Sequence, residues 1–383
     1  MLQKCIVAPD SFKGSMSSLA ICRLTEKCVH AVFPACKVIA LPVADGGEGT
    51  VDCFLEAMGG ERVTLTVQGP LGDPVEAAYA RIGETAIIEM AQAAGLPLVE
   101  GRADPARTST FGVGQLMAHA IEQGATQLVL GLGGSATNDG GCGCAAALGA
   151  RFLDQHGQPF VPVGGTLKEI HDVDVSPLRQ KLHGCAITAM CDIENPMYGE
   201  QGAAYVYGPQ KGATPELVQE LDRQLRHLDK VIEEKLGISD LASRRGAGAA
   251  GAFGAGAMAF LGAELRSGIQ VALDLVGFDD HLQGADAVFT GEGRIDGQSL
   301  RGKVVIGVAR RAKAKSVPVY ALVGDVGDGI EAVYEEGVTA IFSINQVAVP
   351  FSIARERSAM DYCATLDNML RLMRALEEHQ TGL

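Results

Sequence analysis

Apolar and polar positions follow two different periods along this chain, and the changes of period divide it into segments. At the amino terminus the run KCIVAP predicts a strand, the spacing from Ser17 to Val32 predicts a helix, and KVIALPV predicts a second strand. ADGGEGT then predicts a loop, and TVDCFLEAM predicts a helix that ends at Gly59. Strand–helix–strand units of this kind build parallel sheets with right-handed crossovers.

The pattern changes after Glu61. RVTLTVQ and VEAAYARI alternate and flank GPLGDP, which predicts an antiparallel hairpin. TAIIEM and TQLVL predict two more strands, with a helix over STFGVGQLMAHAIEQG between them. Thr214 before Pro215 predicts the start of a helix whose leucines recur at helical spacing as far as Gly237. The small residues of GAGAAGAFGAGAMAF indicate either very close helix packing or a mobile loop.

From Ala285 the α/β pattern returns. DAVFT and VPVYALVG predict strands, KVVIGVARRAK predicts a helix between them, and a final helix is expected from about Ser358. We therefore predict two α/β domains: a doubly wound parallel-sheet domain of residues 1–62 and 285–383, and an inserted mixed α/β domain of residues 63–284.

Composition and charge exclude several classes of protein. The chain has 383 residues, of which 47% are hydrophobic, so it can bury large cores. Its net charge of −14 opposes nucleic-acid binding, which needs clustered lysine and arginine. No apolar run approaches the ~20 residues that cross a bilayer. The ten cysteines form no zinc pattern, and no signal peptide is evident, so we expect reduced thiols in a cytoplasmic protein.

Four loops rich in glycine and polar side chains follow predicted strands: APDSFKGSMSS, PVADGGEGT, GLGGSATNDGG and TGEGRIDGQS. In open α/β sheets, ligands bind at the carboxyl ends of the strands. Glycine amides and lysines can hold phosphate oxygens, carboxylates can hold Mg²⁺, and another carboxylate can act as a base. Together these groups are typical of phosphoryl transfer.

Two segments of the chain partly match known nucleotide-binding motifs. GQSLRGK matches the spacing of a P-loop up to Lys303, but Val304 replaces the required Ser or Thr, and the predicted strand ends at Thr290, well before the loop. We therefore do not predict a standard P-loop. GLGGSA fits a relaxed dinucleotide fingerprint, with Asp154 downstream as a ribose ligand. This second match keeps a nicotinamide-dependent oxidoreductase as an alternative.

The same loops, in this order, resemble the type 1 glycerate kinases. EMAQAAGL, RTSTFGVG, CDIENP, GPQKGATPE and GAGAAGAFGAG extend the resemblance over nearly the whole chain. It implies two α/β domains with the active site between them, and phosphorylation of D-glycerate by ATP with Mg²⁺. Members of this family in bacteria usually form 2-phosphoglycerate, so the 2-hydroxyl is the expected acceptor, and a 3-kinase is the alternative.

Residue types at the motif positions assign candidate roles. Asp192 and Asp45 are candidates for orienting or deprotonating the acceptor hydroxyl, and Lys13 is a candidate partner of a phosphate or carboxylate. The candidates for binding substrate and nucleotide are Asp10, Ser11, Gly46, Gly47, Glu48, Arg107, Gly133, Gly134, Ser135, Thr137, Asn138, Gly291, Arg294 and Lys303. The candidates for Mg²⁺ are Asp139, Glu292 and Asp296. Each residue type is also common in turns and caps, which is the alternative role.

Three functions stay open at this point. The expected one is a kinase for a small hydroxy acid, with ATP and Mg²⁺ as cofactors and no nucleic-acid or membrane partner. The others are the oxidoreductase and a non-catalytic metabolite sensor. The sequence leaves open which loop holds glycerate, which holds ATP, and whether the protein is a homo-oligomer.

Overall fold

A computed structural model describes residues 2–297, 299–301 and 303–381. The chain divides into two compact units, each with its own sheet. Their segments are Met1–Asp45, Glu56–Met58 and Ile269–Leu383 for the first unit, and Gly46–Leu55 and Gly59–Gly268 for the second. The sequence placed these boundaries near residues 62 and 285.

Strands and helices alternate through both units. Within the described residues the strands are β1 (Lys4–Val7), β2 (Lys37–Ala40), β3 (Glu61–Gln68), β4 (Pro74–Ile82), β5 (Thr85–Glu89), β6 (Gln127–Gly131), β7 (Arg151–Leu153), β8 (Pro159–Phe160), β9 (Asp172–Asp174), β10 (Ala186–Met190), β11 (Glu264–Arg266), β12 (Ala287–Ile295), β13 (Val319–Val326) and β14 (Val338–Ser343). The α-helices of the same residues are α1 (Ser18–Val32), α2 (Thr50–Met58), α3 (Ala91–Ala94), α4 (Phe111–Glu122), α5 (Cys142–Ala147), α6 (Ser176–Lys181), α7 (Ala203–Tyr207), α8 (Pro215–Leu236), α9 (Ala249–Ala259), α10 (Gly268–Leu275), α11 (Phe278–Leu282), α12 (Val304–Ala314), α13 (Glu331–Glu335) and α14 (Phe351–Thr381).

The first unit contains a parallel five-stranded sheet in the order β14-β13-β12-β1-β2. Cys5 and Val7 pack in one core cluster with side chains of α1 and α14, whereas Ile6 between them is equally buried but lies outside that cluster. Both faces of the sheet are therefore covered, which confirms the predicted doubly wound α/β fold. The strand order reverses between β1 and β12, and such a switch point is where ligands bind in open α/β sheets.

β12 is longer than the sequence indicated. The predicted strand ended at Thr290, but β12 continues to Ile295, because Glu292 and Arg294 keep their register with Val323 and Asp325 of β13. The intervening glycines suggested a turn, yet glycine in a strand also marks close approach of a neighbouring backbone. Glu292 and Arg294 therefore project from a strand of the sheet rather than from a flexible loop.

The carboxyl-terminal helix also begins earlier than predicted. α14 starts at Phe351, whereas the sequence indicated a start near Ser358. The apolar residues of the first turns did not reveal the helix, because Phe351 and Ile353 are exposed and do not continue its buried stripe. The early start places the first turns of α14 beside the carboxyl edge of the sheet.

The second unit contains a mixed six-stranded sheet in the order β11-β10-β6-β5-β4-β3. β3, β4 and β5 are antiparallel, which confirms the predicted hairpin, and β5, β6, β10 and β11 are parallel. β8, β7 and β9 form a separate small antiparallel sheet. The start of α8 is as predicted: Thr214 Oγ1 accepts a hydrogen bond from the Leu217 amide, and Gly237 ends the helix with φ +69°.

The small-residue segment forms α9, whose first turns are interrupted by left-handed backbone at Ala250, Gly251 and Ala252, and it packs against GLGGSATNDGG at backbone distance. A Cβ on Gly251 would lie 2.0 Å from the Thr137 carbonyl oxygen, and one on Gly256 would lie 2.1 Å from that of Gly140. Of the two predicted alternatives, close packing is correct. Larger side chains in α9 would push the loop out of position.

Candidate functional site

A cavity of about 380 Å³ opens at the switch point of the first unit. The carboxyl edges of β1, β12 and β13 and the first turns of α14 line it. Among the predicted site residues, those that line the cavity are Asp10, Ser11, Lys13, Asp45, Glu292, Arg294 and Lys303. The structure therefore brings together two of the four predicted loops, and Asp45 from the start of a third.

Glu292 is the most buried carboxylate of this cavity, with 3% of its surface exposed. Its Oε2 lies 3.1 Å from Lys303 Nζ, which also donates a hydrogen bond to the Arg294 carbonyl oxygen at 3.2 Å. Within the described residues its Oε1 has no hydrogen-bond partner. Burial raises the pKa of Glu292, and Lys303 partly opposes that shift. A buried carboxylate oxygen without a partner is suited to a hard divalent cation.

Asp10 lies beside Glu292 at the end of β1. Its amide donates to the Gly291 carbonyl oxygen at 2.8 Å, and its Oδ1 accepts a hydrogen bond from the Ser11 amide at 2.7 Å. Burial raises the pKa of Asp10 to about 7, and the nearby charge of Asp45 adds to the shift. Asp45 and Glu292 thus both repel a charge on Asp10, and a cation bound among these carboxylates would relieve the repulsion.

Arg294 extends from β12 toward neighbouring carboxylates. Its Nε lies 3.4 Å from Asp296 Oδ2, and its Nη1 lies 3.6 Å from Asp325 Oδ2. In the described part of the chain, no group of three or more His, Cys, Asp or Glu side chains is placed to hold a metal. Mg²⁺ bound with a nucleotide usually takes only one or two protein carboxylates, since phosphates and water supply the rest. Glu292 therefore fits as a candidate ligand, whereas Asp296 lies beside Arg294 and does not line the cavity.

The glycines of the two other loops serve close packing. A Cβ on Gly131 would lie 2.5 Å from the Gly46 carbonyl oxygen, and one on Gly133 would lie 2.8 Å from the Gly47 Cα. The Gly133 amide donates to the Gly46 carbonyl oxygen at 3.3 Å. PVADGGEGT and GLGGSATNDGG are therefore in backbone contact within the second unit, an approach that only glycine permits.

Asp139 was predicted as a metal ligand, but its contacts are those of a structural carboxylate. It is fully buried, and its Oδ2 accepts hydrogen bonds from the Thr110 amide and hydroxyl, both at 2.8 Å, and from the Gly143 amide at 3.2 Å. Its Oδ1 accepts one from the Gly141 amide at 3.0 Å. Burial raises its pKa, and these donors oppose the shift. Both carboxylate oxygens therefore already accept hydrogen bonds from the protein.

The same contacts bear on Arg107, which was predicted to bind substrate or nucleotide and lies just before α4. α4 begins directly after Thr110. The Thr110 amide donates a hydrogen bond to the Asp139 carboxylate at this helix end. The protein thus supplies its own anion to this helix end, where the helix dipole favours negative charge. Arg107 itself is exposed.

Lys211 is a buried cation in the same loop region that the sequence analysis did not select. Its Nζ donates hydrogen bonds to Ser135 Oγ at 3.0 Å and to the Thr137 carbonyl oxygen at 2.7 Å. Burial lowers its pKa to about 7, although the charge of Asp139 opposes that shift. The side chains of Thr137 and Asn138 are fully buried, and their polar atoms have no partner among the described residues. The loop thus holds a cation and unpartnered polar groups that suit an anion.

We expect the wild-type protein to become more stable as the pH rises above about 7, and Lys211→Met to abolish this increase. Between about pH 7 and its ordinary pKa of 10.5, the unfolded chain binds a proton at Lys211 that the folded protein lacks. The wild-type free energy of unfolding should therefore increase over this range relative to the variant, by more than about 1 kcal/mol from about pH 7 to about pH 9. Urea denaturation measures it, with Lys230→Met, an exposed lysine of α8, as the control. If the free energy of unfolding changed with pH in the same way for wild type and Lys211→Met, a buried Lys211 with a lowered pKa would be contradicted.

Other predicted residues lie outside these clusters. Asp192 is exposed after β10, and its Oδ1 accepts hydrogen bonds from Ser267 Oγ at 2.8 Å and from the Gly268 amide at 3.0 Å. Glu48 is exposed before α2. Glu89, which was not predicted as a site residue, is buried beside the start of α2. Its Oε1 accepts a hydrogen bond from the Val51 amide at 2.6 Å. Its place inside the apolar run TAIIEM was the only sequence signal.

Asp154 does not occupy the position of a ribose ligand. It lies in the turn between β7 and β8, where its Oδ1 accepts hydrogen bonds from the amides of His156 and Gln158, both at 2.8 Å. Those strands belong to the small antiparallel sheet and not to a parallel β-α-β unit. The geometry thus gives the dinucleotide alternative no support.

A doubly wound sheet with carboxylates, lysines and arginines around a cavity at its switch point has the groups that a phosphotransferase needs. Comparison with known proteins identifies the family. The sequence profile of the Glycerate kinase family matches residues 5–374, and the chain belongs to this family. The resemblance found in the sequence is thereby confirmed.

The relatives cover nearly the whole chain. A glycerate kinase of Halalkalibacterium halodurans is 49% identical over 342 residues, which are 88% of this chain and 90% of the relative. A glycerate 2-kinase of Escherichia coli is 44% identical over 89% of this chain and 90% of its own. A crystal structure from Salmonella typhimurium LT2, provisionally assigned as a glycerate kinase 2, matches with a TM-score of 0.89 and 39% identity, covering 99% of this chain and 100% of that one.

The sequence predicted no segment that crosses a membrane, and the helices bear on that prediction. In the ranges that the structure describes, no helix combines the length and apolar character needed to cross a bilayer. Location, oligomeric state and the lack of nucleic-acid binding stay predictions.

Proposed function

We propose that this protein transfers the γ-phosphoryl group of ATP to D-glycerate, at the 2-hydroxyl, to form 2-phosphoglycerate. The observation that carries the proposal is the agreement of near full-length relatives named glycerate kinase, one of them a glycerate 2-kinase, with a carboxylate-lined cavity at the switch point. The oxidoreductase and sensor alternatives have no comparable support.

The first unit supplies groups for the phosphates and for Mg²⁺. Glu292 is the proposed cation ligand, and Lys13, Lys303 and Arg294 are the proposed phosphate partners. When bound, Mg²⁺ neutralises charge on the phosphate oxygens. The unpartnered Oε1 of Glu292 supports this assignment, because a buried carboxylate oxygen without a donor is costly unless a ligand completes it.

Asp45 is the proposed group that orients and deprotonates the acceptor hydroxyl. It lines the cavity, and its charge contributes to the raised pKa of Asp10, so the two carboxylates are electrostatically coupled. A carboxylate at this place can accept a hydrogen bond, and then the proton, from the acceptor hydroxyl. Asp192 remains the second candidate, although the donors on its Oδ1 equally suit a structural cap.

Within the second unit, the predicted binding residues form a separate proposed site for a small anion. Ser135, Thr137 and Asn138 carry polar groups in the glycine-rich loop, and the Lys211 ammonium is hydrogen-bonded to Ser135. Charge-assisted hydrogen bonds of a lysine and hydroxyls suit a small carboxylate. The proposed role of Gly46, Gly47, Gly133 and Gly134 is to bring the two loops into contact.

The assay that tests this function supplies the purified protein with D-glycerate, ATP and Mg²⁺. We expect ADP formation that requires both glycerate and Mg²⁺, and phosphorus NMR should show 2-phosphoglycerate. The appearance of 3-phosphoglycerate would contradict the choice of hydroxyl. Oxidation of NADH in place of ADP formation, or tight glycerate binding without turnover, would overturn the kinase assignment.

A further inference from the structure

The cavity of the first unit has an apolar side that phosphoryl transfer does not require. Phe12, Ile344, Phe351 and Ala354 line it on the side formed with α14. Phe351 begins α14 and has 64% of its surface exposed, although it is a large aromatic residue. An exposed aromatic beside a cavity is typical of a ligand-binding surface.

Polar groups in the same cavity lack partners. Ser15 Oγ and Glu292 Oε1 are buried, and neither has a hydrogen-bond partner in the described part of the chain. Arg355, which follows Phe351 by one helical turn, forms no ion pair within the described residues. The cavity thus combines an aromatic surface, an unpaired guanidinium and buried acceptors.

We propose that this cavity binds the nucleotide: the purine ring stacks on Phe351, and Arg355, Lys13 and Lys303 contact the polyphosphate. The inference rests on the proposed function for its choice of ATP. Glycerate offers no aromatic surface for Phe351, and it is far smaller than the ligands that cavities of this size usually hold. An aromatic platform next to cationic groups matches a nucleotide, which is flat at one end and anionic at the other.

Calorimetric titration of the full-length protein with ADP and Mg²⁺, without glycerate, tests the base contact. Phe351→Ala should raise the Kd for ADP by about tenfold to a hundredfold, since stacking on one aromatic ring is worth that much in nucleotide binding. Ile353→Ala is the matched control, because Ile353 is exposed on the same turn and does not line the cavity. Equal Kd values for the two variants would overturn the proposal, as would failure of ADP to bind the wild type.

Adenosine separates the two halves of the site. Arg355→Gln should weaken ADP about tenfold and leave adenosine unchanged, whereas Phe351→Ala should weaken both. The control is Arg374→Gln, an exposed arginine that pairs with Glu378 farther along α14. A loss of adenosine affinity in Arg355→Gln equal to its loss of ADP affinity would contradict the assignment of Arg355 to the phosphates.

The kinetic constants distinguish this inference from the proposed function. Phe351→Ala should raise the KM for ATP and leave the KM for glycerate within about twofold, because the ring contacts only the nucleotide. If glycerate is not turned over but ADP still binds through Phe351, the substrate is wrong and the nucleotide site holds. If glycerate is phosphorylated normally and Phe351→Ala changes no nucleotide constant, the nucleotide site is wrong and the function holds.

Discussion

Glu292→Gln should lower kcat by at least about a hundredfold without unfolding the protein. Glutamine keeps the shape of the side chain, so packing around β12 is preserved. It removes the charge that faces the cavity and deprives Lys303 of its ion-pair partner. If Glu292 is a Mg²⁺ ligand, the variant should also lose the increase in ADP affinity that Mg²⁺ gives the wild type, which calorimetry measures without any turnover.

The control for this substitution is Glu336→Gln in the same unit. Glu336 pairs with Arg310 at the surface and lines no part of the cavity, so its loss should change kcat by less than about threefold. A Glu292→Gln variant with turnover within about tenfold of wild type, or with an unchanged response of ADP affinity to Mg²⁺, would contradict the assignment of Glu292 to the cation.

Asp139→Ala should destabilise the folded protein by roughly 3–5 kcal/mol. The substitution leaves the buried amides of Thr110, Gly141 and Gly143 and the Thr110 hydroxyl without their acceptor. Urea denaturation should show the loss equally with and without Mg²⁺, because the carboxylate binds backbone donors and not a metal. Turnover should fall as well, since the loop that carries Ser135 and Thr137 loses its anchor.

Asp139→Asn is the matched variant. An amide can still accept the hydrogen bonds on one side, but it presents its own N–H groups to the Gly141 amide, so its effect should be intermediate. A loss of less than about 1 kcal/mol for Asp139→Ala, or a loss that appears only when Mg²⁺ is present, would contradict the structural role.

The sequence predicted most of the fold, because periodicity reports burial and capping residues report helix ends. Thr214 and Gly237 mark the ends of α8 as expected. The two element boundaries that were predicted wrongly depend on contacts between distant parts of the chain. β12 runs on to Ile295 because β13 continues beside it, and α14 starts at an exposed Phe351, so in both places long-range pairing overrode the local pattern.

The sequence placed candidate residues at strand ends, and several of them line one cavity. Asp10, Glu292 and Lys303 line one cavity because parallel strands bring their carboxyl ends to one edge of the sheet. The donors around Asp139 were not predicted, since residue type does not reveal which distant amides reach a carboxylate. Lys211 was missed for a related reason: a lysine in a turn before a helix is normally exposed, and only the tertiary structure buries it against Ser135.

A crystal structure of the protein with Mg²⁺, glycerate and an unreactive ATP analogue tests the location of the phosphates most directly. We expect the β- and γ-phosphates beside Lys303 and Lys13, with the cation bound to Glu292 Oε1. Phosphates bound elsewhere in the chain, with that oxygen still lacking a partner, would contradict the central role given to this cavity.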